Sequence, residues 1–397
     1  MSVPISEYEV GKHPDLPPPP GTVGVWVWLK NNLFSSATNS IQTVFALWML
    51  YGIISSVVDW FVISAVWSGV DADACKTTDG GWINGQCWPF VSAWFEGMML
   101  GRYPDGELWR LVATGIFIAF GFGWSLIRSA PWKIPVAVSM VVLTPFVAKA
   151  LIFGGLGLSM ISTTELGGFT LNLFYLMIGA LWALPVGILL ALGRQSRMPL
   201  IRILCFAVIE FFHGMPFIIL LFTSSVVYPL FVPEGTEFDK IVRVQFGVTL
   251  YFSTYVAELI RRGMQAVPTK EIEAARASGI APWRMTTNVI LLEALRVAIP
   301  GLTNITVSLV KATTLIGMVG QLDFLGVINV AGTSTDWLGF IPSGYAFAFV
   351  VFACVCFSIS GFGRYLESRF PPSEACKRNF AANPSAADAT HAGHSLA

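Results

Sequence analysis

Long apolar runs alternate with short polar connections along most of this chain. A transmembrane helix needs about 20 mostly apolar residues to cross a hydrocarbon core of roughly 30 Å. Eight runs reach that length: 40–64, 109–128, 134–153, 170–193, 203–231, 243–263, 296–319 and 342–363. The pattern predicts an all-α, polytopic membrane protein of about eight transmembrane helices. One interruption, at 268–294, keeps the grammar of helices and loses the apolar character. Pro268-Thr269 starts a short helix, and Glu271 and Glu273 suit its positive N-terminus. Gly279 supplies the left-handed residue that ends it, and Pro282 fits the first turn of a second helix. Ala274 and Ala275 leave room for another protein to approach. On spacing alone two readings stand, a solvated helical loop and a docking element.

Composition agrees with the membrane class: hydrophobic residues make up 54% and charged residues 12%, against about 25% charged in soluble domains. The net charge is zero, so its distribution carries the information. With eight spans both termini share one side. If that side is the cytosol, the inner segments hold all the Lys and Arg except Lys76, Arg102, Arg110, Lys149, Lys240, Arg243 and the intramembrane Lys311. This positive-inside bias predicts cytosolic termini and a cytosolic insert at 268–294.

Cys205, Cys354 and Cys356 lie in apolar runs and Cys376 in the tail, whereas Cys75 and Cys87 share an outer loop. In an oxidising compartment that pair can close a disulfide worth roughly 3 kcal/mol; two free thiols are the other reading. The scattered histidines His13, His213, His391 and His394 make no metal-ligand spacing, so no metal site is expected. There is no catalytic constellation and no phosphate loop of the G-x-x-x-x-G-K type, so ATP, if used, binds another chain.

The N-terminus reads as a stiff Pro17–Pro20 linker rather than a signal peptide. The Trp26 and Trp28 segment after it suits a helix lying in the interface. Four regions are expected: a cytosolic N-terminal segment with this interfacial helix (1–35), an extension with three spans and an outer loop (36–160), a five-span core (165–370) and a disordered cytosolic tail (371–397).

Lys311 falls inside a span, where a charge costs about 2.5–3.5 kcal/mol on insertion scales, so it should face the bundle or a water-filled path. Contact with a substrate carboxylate and a structural pairing with Glu258 or a carbonyl cage are both open. Thr313 and Thr314 either line the same path or satisfy their own helix. Glu258 lies near the cytosolic end of its span, where pairing with Arg261 or Arg262 competes with a substrate role. His213, Gly214 and Pro216 suggest a broken or kinked helix at depth.

Six ordered elements of the second half carry a resemblance: Thr170-Leu171-Asn172-Leu173; Glu210 to Pro216; Tyr255-Val256-Ala257-Glu258 through Arg261, with Gln265-Ala266-Val267-Pro268 following; Glu273-Ala274-Ala275 with Gly279; Val289-Ile290-Leu291 with Ala294-Leu295-Arg296 and Pro300; and Lys311-Ala312-Thr313-Thr314-Leu315. In these the chain resembles the integral-membrane subunit of bacterial ATP-binding-cassette importers for polar amino acids. The N-terminal extension and the Pro229 to Gly235 insert are similar to the longer permease subunit of general L-amino-acid importers. The resemblance implies a type I importer fold in the bacterial inner membrane. It implies ATPase coupling through Glu273, Ala274, Ala275, Arg276, Gly279 and Trp283. It also implies a second permease subunit, two ATPase subunits that bind ATP and Mg, a periplasmic amino-acid-binding protein, and substrates such as glutamate, glutamine, aspartate and asparagine. The sequence departs from the pattern at His213 (usually Arg), Arg262 (often Gly), Leu292 (usually Pro) and Ala312 (often Asp or Asn). Loss of the proline at 292 favours a straighter run from the second coupling helix into the next span. The competing class is an ion-gradient-driven secondary transporter or channel, which has no use for the helix–Gly–helix insert.

Overall fold

The computed structural model describes residues 24–77, 81, 83–126, 132–155, 157–233, 238–376 and 378. The proline linker, Lys12, His13, Trp82, Arg128, Glu234-Gly235, Lys377, and the tail from 379 with His391 and His394 lie outside the described residues. Two compact units form. The first comprises residues up to Gly69 with Asp73–Trp88; the second comprises Val70–Ala72 and everything from Pro89 onward.

In the first unit, α1 (Val25–Asn32) leaves Trp26 and Trp28 exposed. Ser36 then caps α2 (Ala37–Val58), its hydroxyl accepting from the Asn39 amide at 3.2 Å. No residue of α2 is buried, as suits a helix whose surroundings are lipid tails. A π-helical turn, Asp59–Ile63, carries it into the loop. There Cys75 and Cys87 are joined in a disulfide and are almost completely buried.

The second unit is a helical bundle. Its helices are α3 (Trp88–Leu100), α4 (Leu108–Leu126), α5 (Lys133–Ala148), α6 (Gly168–Arg194), α7 (Pro199–His213), α8 (Phe217–Phe222), α9 (Lys240–Ala266), α10 (Thr269–Ala277), α11 (Pro282–Met285), α12 (Leu291–Thr313), α13 (Phe324–Gly332) and α14 (Ile341–Arg369). No strand occurs among the described residues, only isolated bridges. Among the described residues of the two units, five helices are long and apolar enough to cross a membrane, or six if the bent pair α7 and α8 counts as one span. That is fewer than the eight apolar runs. The run at 243–263 does form the long helix α9, but Lys240, Arg243, Glu258, Arg261 and Arg262 dilute its apolar character. The run at 203–231 is broken by 107° where Gly214-Met215-Pro216 interrupts it, as the glycine and proline foretold.

The core lies where α6, α9 and α12 pack together, with Leu171, Tyr175, Val248, Ile260, Ala294 and Leu309 buried in one cluster. Small residues set the spacing. A Cβ on Gly187 would lie 2.6 Å from Val256 of α9, and one on Gly263 would lie 2.7 Å from the Ala294 carbonyl of α12. Such close backbone approach is how helices gain packing energy without a hydrophobic drive from lipid. Tyr103, Ala148, Ile152 and Phe153 belong to the same cluster. The buried Arg110 ties this region down: Nε donates to Glu107 at 2.8 Å and Nη1 to the Ser159 carbonyl at 2.9 Å. The Ser159 hydroxyl in turn holds the Glu107 carboxyl below its ordinary value.

Candidate functional site

The interruption at 268–294 folds as the helix–Gly–helix insert its sequence describes. Pro268 is the N-cap of α10, and Glu271 sits in its first turn. Gly279 adopts φ 71° and reverses the chain, and the Ile280 amide donates to the Ala275 carbonyl at 3.4 Å. Pro282 then opens α11. The helix does not stop at its end. A π-helical turn, Thr286–Ile290, passes it into α12, so Pro282–Thr313 runs as one helix of 32 residues. Leu292, where the resembling family has proline, lies inside this run.

One face of the insert is anchored and the other is open. Ala275 and Met285 are buried, while Glu273, Ala274, Arg276 and Gly279 are exposed. Trp283 is 65% exposed, with the Arg284 guanidinium 5.2 Å from its ring centre. Exposed aromatic and arginine side chains are enriched in protein-docking patches. The anchoring is apolar: Ile272 and Ile290 pack on Ala266 and Val267 at the end of α9.

Beside the insert, α9 carries a charge cluster. Glu258 accepts from Arg261 Nε at 2.8 Å, Arg262 Nε at 3.0 Å and Arg194 Nη1 at 3.2 Å. Arg194, the last residue of α6, also reaches Glu210 of α7 at 3.2 Å. A cavity of about 430 Å³ opens next to these groups, lined by Arg194, Arg261, Met264, Gln265, Ile272 and Ile290 among others. The cluster ties α6, α7 and α9 together at the end of the bundle that carries the insert. Glu258 is thus held by three guanidinium groups, and the pairing of Lys311 with Glu258 does not form.

The remaining path residues separate. Lys311 is exposed on α12 and makes no side-chain hydrogen bond or ion pair among the described residues. Thr314 donates to the Lys311 carbonyl at 2.7 Å and Thr313 to the Val310 carbonyl at 2.7 Å, so both hydroxyls satisfy their own helix. Thr313 is buried and also receives Asn172 Nδ2 at 3.3 Å. His213 closes α7 and packs edge-on against Tyr255, ring centres 4.4 Å apart.

Sequence reasoning passed over Asp323 and the role of Asn172. Asp323 is fully buried and caps α13 through the Gly326 amide at 2.9 Å. Asn172 of α6 accepts from the Phe324 amide at 3.0 Å and donates to the Thr313 carbonyl at 3.1 Å. An Asp ahead of the apolar run Phe324-Leu325-Gly326-Val327 is a readable cap signal; the partner on α6 is not readable. No group of His, Cys, Asp and Glu among the described residues is arranged to hold a metal.

A model of the binding-protein-dependent transport system inner membrane component matches residues 183–371, the segment that contains the charge cluster and the insert. The inner membrane amino-acid ABC transporter permease protein YhdY of Escherichia coli (strain K12) is 38% identical over 90% of this chain and 96% of its own length. The glutamate/glutamine/aspartate/asparagine transport system permease protein BztC of Rhodobacter capsulatus is 31% identical over 89% of this chain and 95% of its own. A crystal structure of an amino acid ABC transporter with histidines overlaps 51% of this chain and 92% of that one, at 22% identity and a TM-score of 0.46.

The described residues form an apolar helical bundle with an exposed helix–Gly–helix insert. The chain belongs to the family of binding-protein-dependent transport system inner membrane components. It is an integral inner-membrane transport subunit. Hydrolysis of ATP falls to a separate ATPase subunit, and membership brings an ATPase and a substrate-binding protein as partners.

Proposed function

We propose that this chain is the permease subunit of an ATP-driven importer. It passes polar L-amino acids from a periplasmic binding protein to the cytosol by alternating access. The observation that carries the reading is mechanical. Two exposed short helices are hinged at Gly279, and the second continues without a break into a membrane-length helix, Pro282–Thr313. A push on α11 therefore reaches the membrane interior along one continuous helix. The positive-inside bias supports placing this insert and both termini in the cytosol. Glu273, Ala274, Arg276 and Trp283 then face the ATPase, which holds ATP and Mg. The names of the two relatives support amino acids as substrates, with glutamate, glutamine, aspartate and asparagine as the set to test first. The assembly in this reading is a heterodimer with a second permease subunit, two ATPase subunits and one binding protein.

The decisive experiment is reconstitution of the purified complex in liposomes, with uptake and ATP hydrolysis measured together. Uptake should require ATP and the loaded binding protein. Gly279→Pro should leave the complex assembled and uncouple hydrolysis from uptake. Proline cannot adopt φ 71° and removes the amide that donates to the Arg276 carbonyl at 3.0 Å. Uptake that survives ATP depletion and follows an ion gradient would overturn the proposal, as would normal substrate-stimulated hydrolysis with normal uptake in Gly279→Pro.

A further inference from the structure

The sequence predicts disorder from residue 371, yet the first residues after α14 are ordered and occupied. Pro371-Pro372 stiffens the exit from the helix. The Ser373 amide donates to Glu293 Oε1, and its hydroxyl donates to Glu271 Oε1 at 3.5 Å. The same hydroxyl accepts from the Cys376 amide at 3.3 Å, so Ser373 caps a short turn. That turn places Cys376 in full burial against Ala266 and Val267, with Ile272, Ile290 and Val297 around it. The Cys376 thiol meets the Ala266 carbonyl at 3.4 Å, at the last residue of α9, where helix carbonyls have no partner of their own.

These contacts fall on three elements that flank the hinge. Ala266 ends α9, Glu271 and Ile272 belong to α10, and Glu293 and Val297 belong to α12. Glu293 itself is buried, and its other oxygen is taken by Arg296 at 3.0 Å. A buried carboxylate gains most from charge-assisted hydrogen bonds and loses most when one is removed. Burial pushes the Cys376 thiol up to about 11, with Glu293 and Glu271 adding to the effect, so it stays an uncharged wedge.

We propose that residues 371–376 are a strap that sets the coupling insert against α9 and α12, with Ser373 and Cys376 as its positioning residues. It clamps α10 to α12, so a displacement of α10 is delivered to the membrane helix instead of being lost at the Gly279 hinge. The inference rests on the coupling role proposed above for α10 and α11.

The test uses the full reconstituted complex with two variants of different kind. Ser373→Pro removes the amide donated to Glu293, and Cys376→Arg puts a charge where the wedge is buried. Both should assemble and hydrolyse ATP, with uptake per ATP hydrolysed falling about five-fold or more. In the unmodified complex, Cys376 should resist a maleimide that labels it in Ser373→Pro, read by peptide mass. An unchanged ratio in both variants, or rapid labelling of Cys376 in the unmodified complex, overturns the strap. Gly279→Pro run alongside separates the two ideas. If it uncouples while the strap variants do not, the strap alone fails; if none of the three uncouples, the coupling reading fails first.

Discussion

Arg194 and Glu258 lie 64 residues apart in sequence, and their side chains meet at 3.2 Å. The contact joins the last residue of α6 to the charge cluster of α9, and Glu210 extends it to α7. Three arginines share two carboxylates there, so each carboxylate is indispensable to the balance. Loss of one partner from a buried pair typically costs 3–5 kcal/mol. The side chains of Glu258, Arg194, Arg261 and Arg262 keep about a fifth of their exposure, so screening reduces the figure to about 2 kcal/mol. Glu258→Ala should lower the thermal-inactivation midpoint of the solubilised complex, and Arg194→Ala should do the same. A double-mutant cycle should show coupling of about 1 kcal/mol or more. Additive losses would show that the pair contributes nothing as a pair.

The Cys75–Cys87 bond closes a short loop, the two cysteines being 12 residues apart. A loop of this length restricts the unfolded chain by roughly 3 kcal/mol on the entropy model. Cys75→Ser with Cys87→Ser should therefore leave the outer loop more sensitive to protease. Alkylation before and after reduction should show two thiols released in the unmodified protein. Two thiols already reactive without reductant would sink the prediction.

Local signals were legible and distant partnerships were not. Pro268, Gly279 and Pro282 described the insert because caps and left-handed residues act within one turn of chain. Gly214 and Pro216 described the bend at the end of α7 for the same reason. Pairing of Glu258 with Arg261 or Arg262, its neighbours on one helix, was one of two readings, but Arg194 arrives from another helix and was visible only as a basic residue. Asn172 and Asp323 meet across 151 residues, a separation no pattern encodes. Pro371-Pro372-Ser373 followed by Ala and polar residues has the composition of a disordered segment, so the contacts of 373–376 could not be read from it. Its order comes from Glu271, Glu293 and the apolar pocket around Ala266, all supplied by other elements.

Asp323 makes a pH-dependent prediction. Its burial raises the carboxyl from 3.8 to about 6, against the opposing hydrogen bonds from Gly326 and Asn172. A carboxyl whose pKa is higher in the folded state binds its proton more tightly there. Folded protein then holds more protons than unfolded protein between about pH 4 and pH 6, and stability falls as pH rises through that window. The full difference is on the order of 3 kcal/mol. Asp323→Asn keeps an acceptor for the Gly326 amide and removes the titration. The variant should gain on the unmodified protein as pH rises from 4.5 to 7, measured as the difference between their inactivation midpoints. A difference that does not change with pH would show that Asp323 is not titrating in the fold.

Lys311 makes the last prediction. It is exposed on α12, and no side chain among the described residues pairs with it, although Thr313 and Thr314 beside it are satisfied by their own helix. An ammonium group within a span must find water or a counter-charge. Glu258 is occupied by Arg194, Arg261 and Arg262 and is not that counter-charge. A substrate carboxylate in the translocation path fits the requirement. Lys311→Ala should leave the amount of assembled complex unchanged and lower uptake of glutamate and aspartate about ten-fold, the equivalent of one charge-assisted contact of about 1.4 kcal/mol. Lys311→Arg should recover part of the loss by keeping the charge. Transport kinetics unchanged in Lys311→Ala would assign the lysine a structural role, and a loss of assembled complex in step with uptake would assign it to the contact with another subunit.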